Sequence, residues 1–460
     1  MVYFIGAGGI GMSALARYFN ISGRRVAGYD LTRTRLTDKL VEEGIEISYN
    51  DDEKSIPACY TEKGSKDNTL VVYTPAVPGK NKIMQYFISH GYNVVKRAKV
   101  LGELVNKSKG IAVAGTHGKT SVCTLIAHLL MQTPPGCNAF LGGIAKNYNS
   151  NLVVSEGSDL FVAEADEYDR SFLQLRPQIA VITSMDPDHL DIYGNFDEMI
   201  KGYFAFAGRV KTGGTVICKG NLELKAGMVE GAEMVNYGME KKEGYFAENI
   251  RISAGGFPIF DLVTPSGKFC DMNLGVPGRF NVENAVAAIA VALRCGITEE
   301  NIRKGMESFQ GIYRRFDVLI NTPDCVLIDD YAHHPVELRS AISAVREIFP
   351  ERKITGIFQP HLFTRTRDLA DAFAESLNAL DELILLDIYP AREDPVPGVT
   401  SELIYKKVKL EKKKLCSLKQ LPAIVEKMHT DVLITLGAGN IDTMVEPVKN
   451  ILLNKIKGGS

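Results

Sequence analysis

The stretch VAGTHGKTSV, residues 113–122, joins an apolar run to an amphipathic one through Gly115, Thr116, His117, Gly118, Lys119, Thr120 and Ser121. A loop of small residues between a buried strand and a helix N-terminus turns several backbone N–H groups inward, where the helix dipole also favours an anion. Lys119 adds a positive charge, and the Thr120 hydroxyl suits Mg²⁺. That set holds a nucleoside triphosphate. The spacing departs from G-x-x-x-x-G-K-T, because Val113 stands where the first glycine would be. Two further polar clusters follow apolar runs. LFVAEADEYD carries Glu164, Asp166, Glu167 and Asp169, and IAVITSMDPDHLDIYG carries Asp188, His189 and Asp191. Ligands of open parallel sheets bind at the carboxyl ends of the strands, so these clusters are expected to converge on the loop. A carboxylate and a neutral imidazole beside phosphates suit Mg²⁺, whose octahedron is completed by water and phosphate oxygens. Thr120, Glu164 and His189 are the expected metal ligands. Asp166, Asp169 and Asp191 read equally well as helix caps or solvated acids.

A second glycine motif lies at the start. Gly6, Gly8 and Gly11 complete G-x-G-x-x-G in VYFIGAGGIGMSALARYF, and Asp30 follows at about the distance of a ribose-binding acid. Glycines allow close backbone approach, and a helix N-terminus binds a diphosphate. The diphosphate of NAD and that of UDP satisfy this equally. An NAD-dependent oxidoreductase is therefore one alternative, although it uses only the first 35 or so residues.

The elements that must position these groups fall into three sets. The runs VYFIG, RRVAGYD and TLVVYTPAV alternate with a helix over residues 12–19 and another around TDKLVEEG, which predicts a small doubly wound, Rossmann-like domain. The helical RAKVLGELVNKS leads into the strand GIAVAG and a second domain. There Val122, Leu125, Ile126, Leu129 and Leu130 fall at helical spacing and predict one face packed on a sheet. Strands LFVAE and IAVITS follow, then Gly-punctuated short strands over residues 212–278, then the helix NVENAVAAIAVALRCG. GIYRRFDVL reads as a connector to a third alternating unit that includes CVLIDD, ITGIFQ, ELILLD and VLITLGAG. The expectation is an α/β chain of three domains: a Rossmann-like domain over 1–102, a central P-loop ATPase-type mixed-sheet domain over 103–315 and a Rossmann-like domain over 316–460. No solenoid-length repeat is found, and LEKKKL reads as a solvated charge run.

The bulk properties suit a multidomain enzyme. The chain has 460 residues, 45% hydrophobic and 23% charged, with a formal net charge of -2, which gives no general electrostatic case for nucleic acid or an anionic membrane. Eight scattered cysteines without C-x-x-C read as reduced thiols. With no signal-peptide pattern and no membrane-length apolar run, a cytoplasmic protein is expected.

The motifs GTHGKT, EADEYDRSFLQL, DPDHLDIYG, GRFNVENAVAAIA, YRRF, DDYAHHP, QPHLFTRTRDL and YPAREDPVPGVTSE, in this order, resemble the Mur ligases over essentially the whole chain. The resemblance implies ATP-dependent amide formation in peptidoglycan precursor synthesis. The lactyl carboxylate of UDP-N-acetylmuramate becomes an acyl phosphate, and the amine of L-alanine displaces phosphate. A related recycling activity joins a whole tripeptide to UDP-N-acetylmuramate and shares EADEYD, whereas RSFLQLRP, DHLDIYG and PGVTSE favour the single amino acid. Carried over by resemblance, Lys119 serves the β,γ-phosphates, Thr120, Glu164 and His189 the metal, and Asn281 and Asn284 the adenine. Arg315 and Asp330 also serve ATP, while Tyr331, His333, His334 and Arg365 lie near the amino acid and the reacting carboxylate. Gly8, Gly9, Gly11, Met12 and Ser13 are assigned to the UDP end, with Asp30 at the uridine or ribose. The third domain is expected to close on ATP about hinges near 98–104 and 312–316, in a monomer or weak homodimer. His333, His334 and His361 as a zinc cluster stand below substrate contact. Arg367 is either a surface ion pair or a ligand, and the LGAGN glycines a tight turn. Leu362 stands where some members have Arg, and Thr183–Ser184 where the family often has Thr–Asn. No residue is identified with the carbamylated lysine that other members place at a second metal.

Overall fold

The computed structural model describes residues 1–187, 190–222, 224, 229–240, 244–253, 255–391 and 393–458, without the side chains of Leu190 and Asp191. Three sheets organise them. The first contains β1 (Val2–Ile5), β2 (Val26–Tyr29), β3 (Glu46–Ser48), β4 (Leu70–Tyr73) and β5 (Asn93–Lys96), all parallel in the order β3-β2-β1-β4-β5. The order reverses between β1 and β4, the switch point at which such sheets bind ligands. The glycine loop leaves β1 there.

The second sheet has ten strands. These are β6 (Lys109–Ala114), β7 (Asn138–Ala145), β8 (Ser150–Val153), β9 (Leu160–Glu164), β10 (Ile179–Ile182), β11 (Thr215–Lys219), β12 (Glu233–Gly238), β13 (Tyr245–Ile252), β14 (Pro258–Thr264) and β15 (Gly267–Asn273), in the order β15-β14-β13-β12-β11-β10-β6-β9-β7-β8. β6 lies between β9 and β10, parallel to both, while β7–β8 and β14–β15 are antiparallel and make the sheet mixed. The third sheet, β16 (Asp317–Asn321), β17 (Val326–Asp330), β18 (Ile354–Phe358), β19 (Glu382–Leu386), β20 (Lys413–Cys416) and β21 (Val432–Leu436), runs β16-β17-β21-β18-β19-β20 and is parallel except for β16.

These residues form two compact units. The first holds 1–250, 259–275 and 282–310, and the second 251–258, 276–281 and 311–460. Within the first unit, helix Ile10–Ile21 serves two sheets, packing on β1 and also on β7 and β8. Arg17 is 5% exposed. Its Nε donates to Glu43 at 2.7 Å, its Nη1 donates to Asn151 Oδ1, and Asn151 Nδ2 donates to the Ile10 carbonyl at 2.6 Å. A buried guanidinium with every contact charge-assisted or amide-matched fixes the helix on both sheets. Helix Lys119–Leu130, expected to bury one face, is buried from Val122 through Leu130. It lies on β6, β7 and β9 and against helix Glu299–Ser308, where Gly305 leaves room for Leu129.

Candidate active site

The phosphate loop, residues 115–118, connects β6 to helix Lys119–Leu130. Gly115 at φ +138° and Gly118 at φ +81° occupy backbone conformations that favour glycine, and a Cβ on Gly115 would enter the Thr183 hydroxyl. The brace comes from the end of the neighbouring strand β10. Ser184 Oγ accepts the His117 N–H at 2.7 Å and lies 2.9 Å from Thr116 Oγ1, while Thr183 Oγ1 donates to the carbonyls of Ala114 and His117. Ser184, a departure from the family pattern, thus shapes the loop. Lys119 Nζ donates to the Gly115 carbonyl at 2.6 Å and to both carboxylate oxygens of Glu167 at 2.8 Å. Burial pulls the Lys119 pKa down, but Glu167, Asp166 and Glu164 outweigh it and the net direction is up, so Nζ stays a cation. Thr120 is buried at the helix start, and Asn284 Oδ1 lies 3.1 Å from the point where a Gly118 Cβ would stand. His117 Nε2 is 3.8 Å from Asp186.

Glu164 ends β9, in register with Val113 of β6. Its Oε1 accepts the Gly142 N–H at 2.8 Å, and a Cβ on residue 142 would strike the carboxylate. Glu164 and Asp166 form one wall of a cavity of about 240 Å³ whose opposite wall is Gly9, Ile10, Gly11 and Met12. The cavity thus joins the N-terminal glycine loop to the end of β9, one strand from β6, while residues 115–120 lie outside its lining. Gly8, Ser13 and Asp30 lie outside its lining. The Asp30 carboxylate accepts Gly8 N–H at 2.7 Å and Thr32 N–H at 3.0 Å, so it holds the glycine loop in shape. Ser13 is fully buried, its hydroxyl donating to the Ile10 carbonyl and accepting from Asn151. Asp169 pairs with Lys96 at 2.8 Å and Asp166 accepts the Tyr168 N–H at 3.1 Å. His189, Asp188 and the Asp191 side chain lie outside the described residues.

The second unit assembles its own cluster. Asp330, at the end of β17, accepts Phe316 N–H and Ala332 N–H, each at 2.7 Å, and so ties down the connector. Burial pushes its carboxyl up to about 6, against the pull of Arg315 and the two N–H donors. The guanidinium carbons of Arg314 and Arg315 stand 5.1 and 5.0 Å from the centre of the Tyr331 ring. His333 Nδ1 faces the Tyr331 carbonyl at 3.0 Å and Glu337 at 3.3 Å. Burial lowers its pKa, Glu337 opposes this and Arg365 reinforces it. A neutral ring with two acceptors at Nδ1 keeps its proton there and leaves a lone pair on Nε2. His334 caps helix Pro335–Ile348, and the Asn281 amide donates to the Pro277 carbonyl at 2.7 Å. His361 lies beside His333 at 5.8 Å between rings and stacks on Tyr389. Among the described residues, no group of three or more His, Cys, Asp or Glu is arranged to hold a metal. Arg367 pairs with Asp368 at 2.7 Å. The LGAGN glycines answer to close approach rather than to a turn alone: Gly437 and Gly439 lie against Gln359, and Gly439 also against Tyr389. Leu362 is buried with φ +70° at the start of helix Phe363–Asp368.

Sequence reasoning missed Arg97, Arg314, Asp329 and the pairing of Glu167 with Lys119. Arg314 donates to Asp329 at 3.3 Å and to the Gly437 carbonyl at 2.6 Å, contacts made across the sheet. The doublet RR in YRRF was the available signal, but spacing alone does not tell which arginine is structural.

A mixed sheet with a phosphate loop, joined to a doubly wound domain whose glycine loop shares a cavity with the end of the neighbouring strand β9 and followed by a third, mostly parallel sheet, defines a nucleotide-dependent ligase of the Mur type. The chain belongs to the Mur ligase family: residues 1–109 match the Mur ligase family catalytic domain, 113–292 the Mur ligase middle domain and 314–439 the Mur ligase glutamate ligase domain. It is 51% identical to the UDP-N-acetylmuramate–L-alanine ligase of Parabacteroides distasonis, over 99% of this chain and 98% of that protein. The solved UDP-N-acetylmuramate–alanine ligase of Thermotoga maritima superposes with a TM-score of 0.82 at 26% identity, covering 100% of this chain and 99% of that one. A murein peptide ligase of Psychrobacter arcticus shares the fold, with a TM-score of 0.71 at 20% identity over 98% of each chain. The oxidoreductase alternative is thereby set aside.

Proposed function

We propose that this chain joins L-alanine to the lactyl carboxylate of UDP-N-acetylmuramate at the expense of ATP, in the cytoplasmic synthesis of peptidoglycan precursors. The observation that carries the reading is that Glu164, on the strand beside the one that leads into the phosphate loop, lines one cavity with the glycine loop Gly9–Met12. A nucleotide sugar held on the glycine loop can extend its carboxylate past Glu164 toward a triphosphate on the phosphate loop, one strand away. The carboxylate oxygen attacks the γ-phosphorus, the bond to the β-bridging oxygen breaks, and ADP leaves. The amine of L-alanine then attacks the acyl carbon, phosphate departs, and the nitrogen loses a proton.

No protein nucleophile is required, so catalysis is positioning and charge neutralisation. Lys119 supplies positive charge at the transferring phosphoryl group. Thr120 and Glu164 fit Mg²⁺, one hydroxyl and one carboxylate being the sparse hard-oxygen set that this ion takes beside phosphates. When bound, Mg²⁺ would neutralise phosphate charge. His333 Nε2 offers the lone pair that can receive the amine proton, while Tyr331, His334 and Arg365 surround the amino acid. Asn281, Asn284, Arg315 and Asp330 serve the nucleotide, and the chain divides near residues 102 and 315. The test is phosphate release from ATP by purified protein. Release should require both UDP-N-acetylmuramate and L-alanine, and vigorous turnover without either would refute the reading. A preference for the tripeptide over L-alanine would assign the recycling activity instead.

A further inference from the structure

The ammonium of Lys119 has three N–H donors, and the protein takes all of them. Nζ donates to the Gly115 carbonyl at 2.6 Å and to Oε1 and Oε2 of Glu167, each at 2.8 Å. Asp166 and Glu164 add their negative field to that of Glu167. Lys119 can therefore engage a phosphate oxygen on the loop only after one of these three acceptors gives way.

The partners differ in their freedom to move. The Glu167 side chain is 1% exposed, against 16% for Lys119. The Glu167 carbonyl accepts Tyr193 Oη at 2.8 Å and the Arg170 N–H at 3.0 Å, and the Arg170 guanidinium carbon lies 5.2 Å from the centre of the Tyr193 ring. The preceding carbonyl, of Asp166, accepts the N–H of Phe172 at 2.8 Å, and that buried ring stacks on Phe206. Asp169 and Arg170 hold left-handed backbone, φ +53° and +52°, which non-glycine residues keep where their surroundings over-determine it. Glu167 is thus built into a fixed turn, whereas the Lys119 ammonium ends a flexible four-carbon stem. The lysine moves and the carboxylate stays. Releasing the Gly115 carbonyl would give up the hydrogen bond of a buried backbone acceptor. Releasing one Glu167 oxygen leaves the ion pair joined through the other, so this is the cheaper exchange.

We infer that Glu167 is a positioning residue of the phosphate loop: it holds Lys119 through both carboxylate oxygens, and a nucleotide gains the lysine by taking the place of one of them. The inference rests on the proposed binding of ATP at this loop.

The test titrates ADP and the β,γ-imido analogue of ATP, each with Mg²⁺, into the wild type, Glu167→Gln, Lys119→Ala and the double variant by calorimetry. A Gln side chain offers one acceptor oxygen, which leaves a lysine donor for phosphate without an exchange. Glu167→Gln should therefore bind both nucleotides about 3- to 10-fold more tightly, the scale of one hydrogen bond no longer surrendered. In the ligation assay KM for ATP should fall while KM for UDP-N-acetylmuramate holds. A change that merely loosened the fold would move the affinity the other way. On the Lys119→Ala background the same substitution should leave nucleotide affinity within about twofold. Unchanged or weaker binding by Glu167→Gln overturns the inference. Equal tightening on the Lys119→Ala background also overturns it, since charge repulsion alone would then carry the effect. Should Glu167→Gln fail to fold, crystal structures of the wild type with and without ADP read the exchange directly: Lys119 should contact both Glu167 oxygens without ADP and one with it, and retention of both overturns the inference. If the wild type binds no ADP, the nucleotide reading and the inference fall together. If it binds ADP by this exchange yet ligates no L-alanine, the ligase reading fails and the inference stands.

Discussion

Lys119 lies where burial and three carboxylates compete for its charge, and the carboxylates win. On the proposed function Lys119→Ala removes a charge that serves the transferring phosphoryl group, and kcat should fall at least about 100-fold, in line with single electrostatic contacts to a transition state; phosphate release measures it. Gly142→Ala is a subtler probe. Its Cβ would collide with the Glu164 carboxylate, so the Mg²⁺ concentration needed for half-maximal activity should rise while the fold survives, as circular dichroism would verify. His333 gives a pH signature. Because burial lowers its pKa below the ordinary 6.5, the ring is neutral at pH 7 and protonates only on the acid side of that value. The acid limb of kcat should lie below pH 6.5 and disappear in His333→Gln. Lys119, Glu164 and His333 could be singled out in the sequence because each sits in a short motif. The contact of Arg97 with Gly11 could not: its guanidinium lies on a glycine 86 positions away in the chain, and no local spacing encodes that meeting.

Strands were the most legible elements, since β1, β6, β9, β10, β17 and β21 are continuous apolar runs of the kind that parallel sheets bury on both faces. Helix Lys119–Leu130 was read as having one apolar face and proved enclosed, because β7 and helix Glu299–Ser308 cover the sides that periodicity assigned to solvent. The brace of the phosphate loop was equally hidden. Thr183 and Ser184 stood out only as a departure from the family pattern, and their work is to hold His117 and Thr116 from the next strand. Ser184→Ala leaves the part-buried His117 N–H without its acceptor. Such a loss costs about 1–3 kcal/mol, and it should appear as a raised KM for ATP with KM for UDP-N-acetylmuramate unchanged.

At the scale of the molecule, two buried groups, one in each unit, carry opposite acid responses. In the first, burial lowers the pKa of His128 from 6.5 to about 4. The stability it contributes is therefore complete above pH 6.5 and is lost as pH falls toward 4, by on the order of 3 kcal/mol. In the second, Asp330 is raised from 3.8 to about 6. Its contribution is present below 3.8 and is lost as pH rises through 6. A chain of this size need not unfold in one step. Calorimetry between pH 7 and 5 should show the transition of the first unit falling, and His128→Gln should flatten that fall. An unaltered slope in the variant would refute the assignment.

The second unit is assembled from three stretches, 251–258, 276–281 and 311–460. The two short ones are substantive: Gly256 abuts Ile348, and the ring of Phe280 meets that of Phe316 at 5.6 Å. A recombinant fragment beginning at residue 311 would therefore carry uncovered apolar surface at both places and be prone to aggregate. During synthesis on the ribosome, peptides belonging to the last unit emerge before the end of the first. Gly256 precedes Ile348 by 92 residues and Phe280 precedes Phe316 by 36, so each must wait for its partner to be made.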